Sequence, residues 1–292
     1  MDSATWTNAA FEELLGSLAE DGGLPYEHSW APATEPTALL AMALLAHRAA
    51  DPAVPRACAW LMARQRADGF FAASAAHGDR SWTTPLAALA LHRAGSADPS
   101  VQAAAAAMLT APVHTFLNTT PWLYATDTSI PGWPWTMADV GFVEPTAMAM
   151  IFLKALGRGS ETRVRQGAAL LRDRALPGGG WNYGDAVVLG EPMYPAIVPT
   201  ALALLALADE ADGTTQAALD WLRGQRGRIR SLVSLGWAAT AVAVCGPDHD
   251  NWTADVQSAW AAVPDHRRSV LGKALCLLGI AGHAAHPLAI TG

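Results

Sequence analysis

The sequence predicts an all-α chain built as an array of six helix pairs, and three observations predict it. Of the 292 residues, 51% are hydrophobic and only 15% are charged, so a folded chain with so few charges buries much of its surface. Segments apolar on nearly every face, such as Thr37–Leu45, Thr146–Leu153 and Thr200–Leu207, alternate with amphipathic ones, among them Pro55–Gln65, Ser160–Arg174 and Thr215–Gly224. A helix apolar all round belongs to an inner layer, and an amphipathic one to an outer layer. The apolar segments also begin alike, with Glu35-Pro-Thr-Ala38, Glu144-Pro-Thr-Ala147, Val198-Pro-Thr-Ala201 and Thr84-Pro-Leu-Ala87.

Proline at the first helical position marks a helix start, because its missing N–H is an orphan there in any case. Pro36, Pro85, Pro145 and Pro199 give spacings of 49, 60 and 54 residues. Two shorter units follow, with inner helices around Ser234–Val244 and Ser269–Gly279 that start near Leu235 and Val270. The chain therefore divides into repeats at about 1–50, 51–98, 99–158, 159–211, 212–248 and 249–282, a single domain followed by a short tail. In the first four units the long Gly- and Trp-rich insertions all fall between an outer helix and the next inner one. Insertions at one topological position gather on one face of a repeat array, often its binding face. The inner-helix N-termini arrive at that face with partial positive charge.

The net charge of −7 opposes nucleic-acid binding by overall charge. No P-loop or dinucleotide fingerprint occurs; Gly178-Gly-Gly180 precedes Trp-Asn-Tyr, so no nucleotide cofactor is implied, and none of another kind. The longest apolar stretches fall short of the ~20 residues that cross a bilayer. The widely separated Cys58, Cys245 and Cys276, and an opening MDSATWTNAA without a cationic apolar leader, are those expected of a cytoplasmic protein. Arg223, Arg226, Arg228 and Arg230, with His266-Arg267-Arg268, read as a solvated outer face or as a receiver for a diphosphate or an acidic partner.

The segment Arg56-Ala-Cys-Ala-Trp60-Leu-Met-Ala-Arg-Gln65-Arg-Ala-Asp-Gly69-Phe-Phe71 resembles the QW repeat of squalene–hopene cyclases, with phenylalanine for the final tryptophan. Fainter copies are Leu170-Leu171 leading to Gly179-Gly-Trp181, Trp221-Leu222 with Gln225, and Leu14-Leu15 with Asp21-Gly-Gly-Leu24. The resemblance implies the closed (α/α)6 toroid of terpene cyclases, protein prenyltransferases and complement thioester domains. The prenyltransferases' D-x-C zinc ligands are missing, and Cys245-Gly246 runs into Pro247 instead of forming the thioester C-G-E-Q. Asp248-His249-Asp250 and His283-x-x-His286 read as solvated turns, and no metal is expected.

Cyclases of this family protonate their substrate with the middle aspartate of D-x-D-D-T-A at an inner-helix start. Laying T-A on T-A places Glu144, and equally Glu35, on that acid. The first aspartate is then replaced by Phe142 or Ala33, and the last by proline. The bland alternative is a glutamate favoured by the helix N-terminus in two repeats. An ionised glutamate cannot donate a proton, so an acid role requires a carboxyl kept neutral by burial or by a second acid, and the route the sequence offers is for Asp127, Asp139 or Glu35 to approach Glu144.

The third insertion carries Trp122, Tyr124, Asp127, Trp133, Trp135 and Asp139 just before Glu144, and Trp82, Trp181, Tyr183, Tyr194 and Trp237 stand at the mouths of other repeats. Aromatic faces stabilise carbocations, so Trp82, Trp133, Trp135, Trp181, Tyr183, Tyr194 and Trp237 are the substrate-binding candidates, with plugging of loops onto helix ends as the alternative. Glu144, Asp139, Trp133 and Trp135 are expected to line the principal pocket with Glu35, Trp82, Trp181 and Tyr183. The expected partner is an apolar, isoprenoid-like small molecule, not a nucleic acid; peripheral membrane contact and the oligomeric state stay open. The leading function is a terpene cyclase-like enzyme. A non-catalytic lipid- or protein-binding toroid, and an (α/α)6 glycosidase with paired carboxylates among Asp127, Asp139, Glu144 and Asp185, are the alternatives.

Overall fold

The computed structural model describes residues 2–78, 82–96, 98–120, 122–123, 125–136, 139–246, 252–283 and 286–290. Among them lie twelve α-helices: α1 (Ser3–Leu15), α2 (Thr34–His47), α3 (Ala53–Met62), α4 (Thr84–Arg93), α5 (Asp98–Thr110), α6 (Val143–Ala155), α7 (Thr162–Asp173), α8 (Ile197–Ala206), α9 (Gly213–Gly224), α10 (Leu232–Cys245), α11 (Thr253–Ala262) and α12 (Val270–Gly279). Two short antiparallel hairpins, β1 (Leu24–Pro25) with β2 (Pro32–Ala33) and β3 (Val187–Val188) with β4 (Glu191–Pro192), decorate the first and fourth insertions. Each even-numbered helix packs on the next, and α12 packs back on α2. The fold is an α/α toroid, all-α as its sequence predicts, with an inner layer of even helices and an outer layer of odd ones.

Burial follows the composition. In α6 every residue from Val143 to Lys154 is buried, whereas α7 buries only Val164, Gly167, Ala168, Leu170 and Leu171. Each fully buried Leu, Ile or Phe contributes ~1.5–3 kcal/mol, and the inner layer supplies most of them. The helix α6 stops where Gly157 turns left-handed at φ +71°, which lets Arg158 N–H reach the Leu153 carbonyl at 2.9 Å.

A threonine fixes the register of four inner helices. Thr37, Thr84, Thr146 and Thr200 accept, through Oγ1, the backbone N–H of Leu24 (2.8 Å), Phe71 (3.0 Å), Trp133 (2.8 Å) and Trp181 (2.9 Å). Each bond pins an insertion to the start of the helix it precedes. Aligned on these threonines, repeat 2 is displaced from the proline pattern: Pro85 follows its threonine, whereas Pro36, Pro145 and Pro199 precede theirs. The residue in register with Glu35 and Glu144 is therefore Trp82.

The helix starts are capped by the neighbouring repeat. Ala73 O accepts from Thr34 N at 2.8 Å, Tyr183 O from Val143 N at 3.3 Å and Tyr26 O from Val270 N at 3.1 Å. Each carbonyl lies two residues beyond a threonine-bonded residue, so one motif recurs from wall to wall, and the last bond joins repeat 6 to repeat 1. Outer helices are tied by the QW-like segment. The Trp60 indole N–H donates to Asp21 at 3.0 Å, Arg64 stacks over that ring at 4.3 Å, and the Gln65 amide bridges Gly69 O and Ser100 O. Cys58, Cys245 and Cys276 are free thiols, and no described helix is long and apolar enough to cross a membrane.

Candidate active site

At the insertion face, only the first turn of the inner layer is partly open. The second residues of α2, α6, α8, α10 and α12 are Glu35, Glu144, Val198, Val233 and Leu271, and Trp82 takes this register in repeat 2. All are half-buried except Glu144, which is 8% exposed. Beneath them the wall is filled: residues 36–44 of α2, 145–154 of α6 and 199–206 of α8 are buried. The mouth is thus divided, with two carboxyls and an indole from repeats 1 to 3 and three aliphatic side chains from repeats 4 to 6. Trp135, from the third insertion, packs edge-on against Trp82 with ring centroids 4.8 Å apart.

The two glutamates do not cap their helices. The N-cap residues Ala33 and Phe142 offer no side-chain hydrogen bond, and the first N–H of each helix is taken by a carbonyl of the adjacent insertion. Freed from that task, both carboxyls are held in a poorly solvated place. Burial pushes Glu35 up to about 7, against the lowering effect of a hydrogen bond from the Tyr26 phenol, which donates to Oε2 at 2.7 Å. Burial likewise pushes Glu144 up to about 7, and the charge of Glu35 adds to the rise. Like charges in a dry site cannot both be ionised cheaply, so the pair retains a proton near neutrality. The Tyr26 hydroxyl, buried and beside a carboxylate, is held well above the ordinary phenol range.

The other acids named from sequence stand apart. Asp127 is exposed and accepts from Ser129 N and Oγ, bonds that hold it below the usual carboxylate value. Asp139 is also exposed and turns its carboxylate to Val140 N. Asp185 accepts from the Thr126 hydroxyl at 2.5 Å.

The aromatic residues divide in the same way. Trp133 is 1% exposed, donates its indole N–H to Met108 O at 2.9 Å and lies under Arg163. Trp181 is fully buried and donates to Leu171 O at 2.6 Å, and Trp237 is buried within α10. All three belong to the wall. Tyr183 and Tyr194 are exposed on the rim, leaving Trp82 and Trp135, packed on each other, as the aromatic pair at the mouth. Tyr124 and residues 248–251 lie outside the described residues.

A cavity of about 550 Å³ opens at the opposite end, where inner helices terminate, lined by Leu45, Arg93, Val244, His283 and His286. It contains none of Glu144, Asp139, Trp133 or Trp135, unlike the principal pocket expected from sequence. The tail covers that end, with Arg93 donating to the carbonyls of Pro287 at 2.8 Å and Ala289 at 2.7 Å. Among the described residues no cluster of three His, Cys, Asp or Glu side chains is placed to hold a metal ion. Sequence reasoning missed Tyr26. Its only signal was a tyrosine nine residues before Glu35, at the end of the first insertion's Gly-Gly-Leu-Pro run.

Neither a protein-family model nor a curated protein matches the chain. Solved structures do. A protein from Actinoplanes is 24% identical, with a TM-score of 0.58 over 91% of this chain and 82% of its own. A variant of the type II terpene cyclase MstE from Scytonema, in complex with geranylgeranyl dihydroxybenzoate, is 16% identical, with a TM-score of 0.63 over 98% of both chains. A GH8 xylanase from Teredinibacter turnerae, a catalytic mutant in complex with xylohexaose, is 14% identical, with a TM-score of 0.60 over 98% of this chain and 94% of its own. At these identities the likeness establishes the toroid and nothing finer.

Proposed function

We propose that this chain is a terpene cyclase-like enzyme that protonates an apolar, isoprenoid-type substrate, with Glu144 as the acid and Glu35 as the neighbouring carboxyl whose charge holds that proton in place. The observation that carries this reading is the pair itself: two glutamates at the same position of two inner helices, released from capping, desolvated and electrostatically coupled. A carboxyl raised to about 7 is well matched to proton transfer at neutral pH. Transfer of the Glu144 proton to an alkene carbon leaves a carboxylate and a carbocation. The faces of Trp82 and Trp135 stand on the acid side of the mouth to stabilise that cation, and Val198, Val233 and Leu271 offer the hydrocarbon an apolar wall. Loss of a proton from the cation to Glu35 then gives an isomer of the substrate and restores one proton to the pair.

A glycosidase reading has one observation in its favour: the same carboxyl pair lies below an exposed aromatic rim that includes Trp30, Trp122 and Tyr194, suited to stacking on sugar rings. The test offers the purified protein geranylgeranyl dihydroxybenzoate, a linear polyprenol and xylohexaose. Turnover of an isoprenoid to a cyclised or isomerised product, abolished by Glu144→Gln with folding intact, is the expected outcome. Isoprenoid turnover that survives Glu144→Gln removes Glu144 as the acid. Hydrolysis of xylohexaose alone transfers the pair to the glycosidase reading, and absence of turnover with all three removes the enzyme assignment for these substrate classes.

A further inference from the structure

We propose that Tyr26 is a positioning residue: its phenol anchors the Glu35 carboxylate in the ionised, accepting form and so leaves the proton of the acidic pair on Glu144. The inference rests on the reading of Glu144 as the acid and names what decides between two otherwise equivalent carboxyls. Glu35 and Glu144 occupy the same position in α2 and α6, so the helix N-terminus acts on both alike, and both helices receive their first backbone cap from a neighbouring carbonyl. The hydroxyl breaks that symmetry. Tyr26 donates its single O–H to Glu35 at 2.7 Å, whereas among the described residues no hydrogen bond reaches Glu144. A carboxylate gains from accepting such a bond, and the partner without one is left to carry the proton.

The phenol is held in place by its own backbone. Tyr26 follows β1, whose Pro25 pairs with Pro32, and its carbonyl caps α12 through Val270 N at 3.1 Å. Neither contact uses the side chain, so replacing the hydroxyl leaves both intact. The charged groups acting on the pair are few: Glu35 responds to Tyr26, and Glu144 to Glu35. Tyr26 keeps its own proton because burial and the adjacent carboxylate both oppose its ionisation, so it orients without competing as an acid.

The experiment is a carboxyl ¹³C NMR titration of the full chain, labelled at glutamate, with the pair assigned by Glu35→Gln and Glu144→Gln. In wild type, as pH rises, the Glu35 resonance should reach that of a carboxylate while the Glu144 resonance is still that of an acid. Tyr26→Phe should raise the Glu35 midpoint by about 1 unit and lower that of Glu144. In a Glu35→Gln background the same substitution should leave Glu144 unmoved, because the phenol acts through Glu35; a merely structural role would shift it in both backgrounds. Unchanged midpoints in Tyr26→Phe, a wild type in which Glu144 ionises before Glu35, or a Glu144 shift that persists without Glu35 would each overturn the proposal. Should Tyr26→Phe fold poorly, the wild-type titration and that of Glu35→Gln still decide where the proton sits. No substrate is needed, so expected midpoints together with turnover that survives Glu144→Gln would leave this assignment standing and remove only the catalytic one.

Discussion

Replacing Glu144 by glutamine should stabilise the protein in alkali and leave it unchanged in acid. The carboxyl rises from an ordinary 4.5 to about 7 on folding, so between those values the native state binds more protons than the unfolded chain. Stability is then greatest below pH 4.5, falls as pH climbs towards 7 and levels off above it, the reverse of a salt-bridged carboxylate. At ~1.36 kcal/mol per unit, the shift corresponds to ~3 kcal/mol of destabilisation at pH 8.5. Against this, an ionised side chain in the first turn of a helix gains ~0.3–1 kcal/mol from the helix dipole, so burial wins. Glutamine removes the ionisation while keeping the shape. With roughly 2 °C per kcal/mol for a chain of this size, thermal unfolding should place the variant about 5 °C above wild type at pH 8.5, with the two curves merging near pH 4. A variant that melts lower at pH 8.5, or a difference that does not change with pH, would refute the reasoning and return Glu144 to a plain helix-start role.

Three further substitutions test the frame around the site. Thr146→Val strands the buried Trp133 N–H and should cost ~1–3 kcal/mol in chemical denaturation; a loss under ~0.5 kcal/mol would show that the insertion is not pinned there. Gly69→Ala places a Cβ 2.5 Å from the Ala103 carbonyl at φ +86°, so a loss of at least ~2 kcal/mol is expected, and a neutral result would contradict the close approach of this turn to α5. His286 is buried neutral, its imidazolium disfavoured chiefly by burial, so that it takes up a proton only at about pH 3. Stability should therefore decline as pH falls from 6.5 towards 3; His286→Phe, which forfeits the bond from Leu288 N, should be ~1 kcal/mol weaker at pH 8 yet sturdier than wild type at pH 4.

The toroid was legible because inner and outer helices obey different composition rules, and residues such as Ala147, Met148 and Phe152 leave no polar face to turn outward. Register was harder. Proline marks a helix start, but the bond that fixes the insertion uses the threonine, and only in repeat 2 do the two signals separate, at Thr84 and Pro85. Tryptophans were ambiguous for a physical reason: an indole that plugs a wall and one that faces a mouth are equally apolar in sequence. What buries Trp133 and Trp181 is a carbonyl on a preceding outer helix, Met108 O or Leu171 O, within reach of the ring nitrogen. The T-A register put Glu35 and Glu144 in equivalent places, from which an approach across the mouth could be imagined. Nothing in the chain pattern separated Glu35 from Asp127 and Asp139, which are nearer in sequence, because the path of a long insertion depends on contacts that no periodicity encodes.

The hydrogen bond from Val270 to the Tyr26 carbonyl has a consequence for how the protein matures. The loop that presents the phenol belongs to repeat 1, yet one of its bonds is supplied by repeat 6, more than 240 residues further along the chain. The first five helix pairs can stack in order, but the Tyr26 carbonyl meets its donor only when repeat 6 closes on repeat 1. A product that ends before Val270 therefore keeps Tyr26 and both glutamates but lacks the bond that ties their loop to the closing wall.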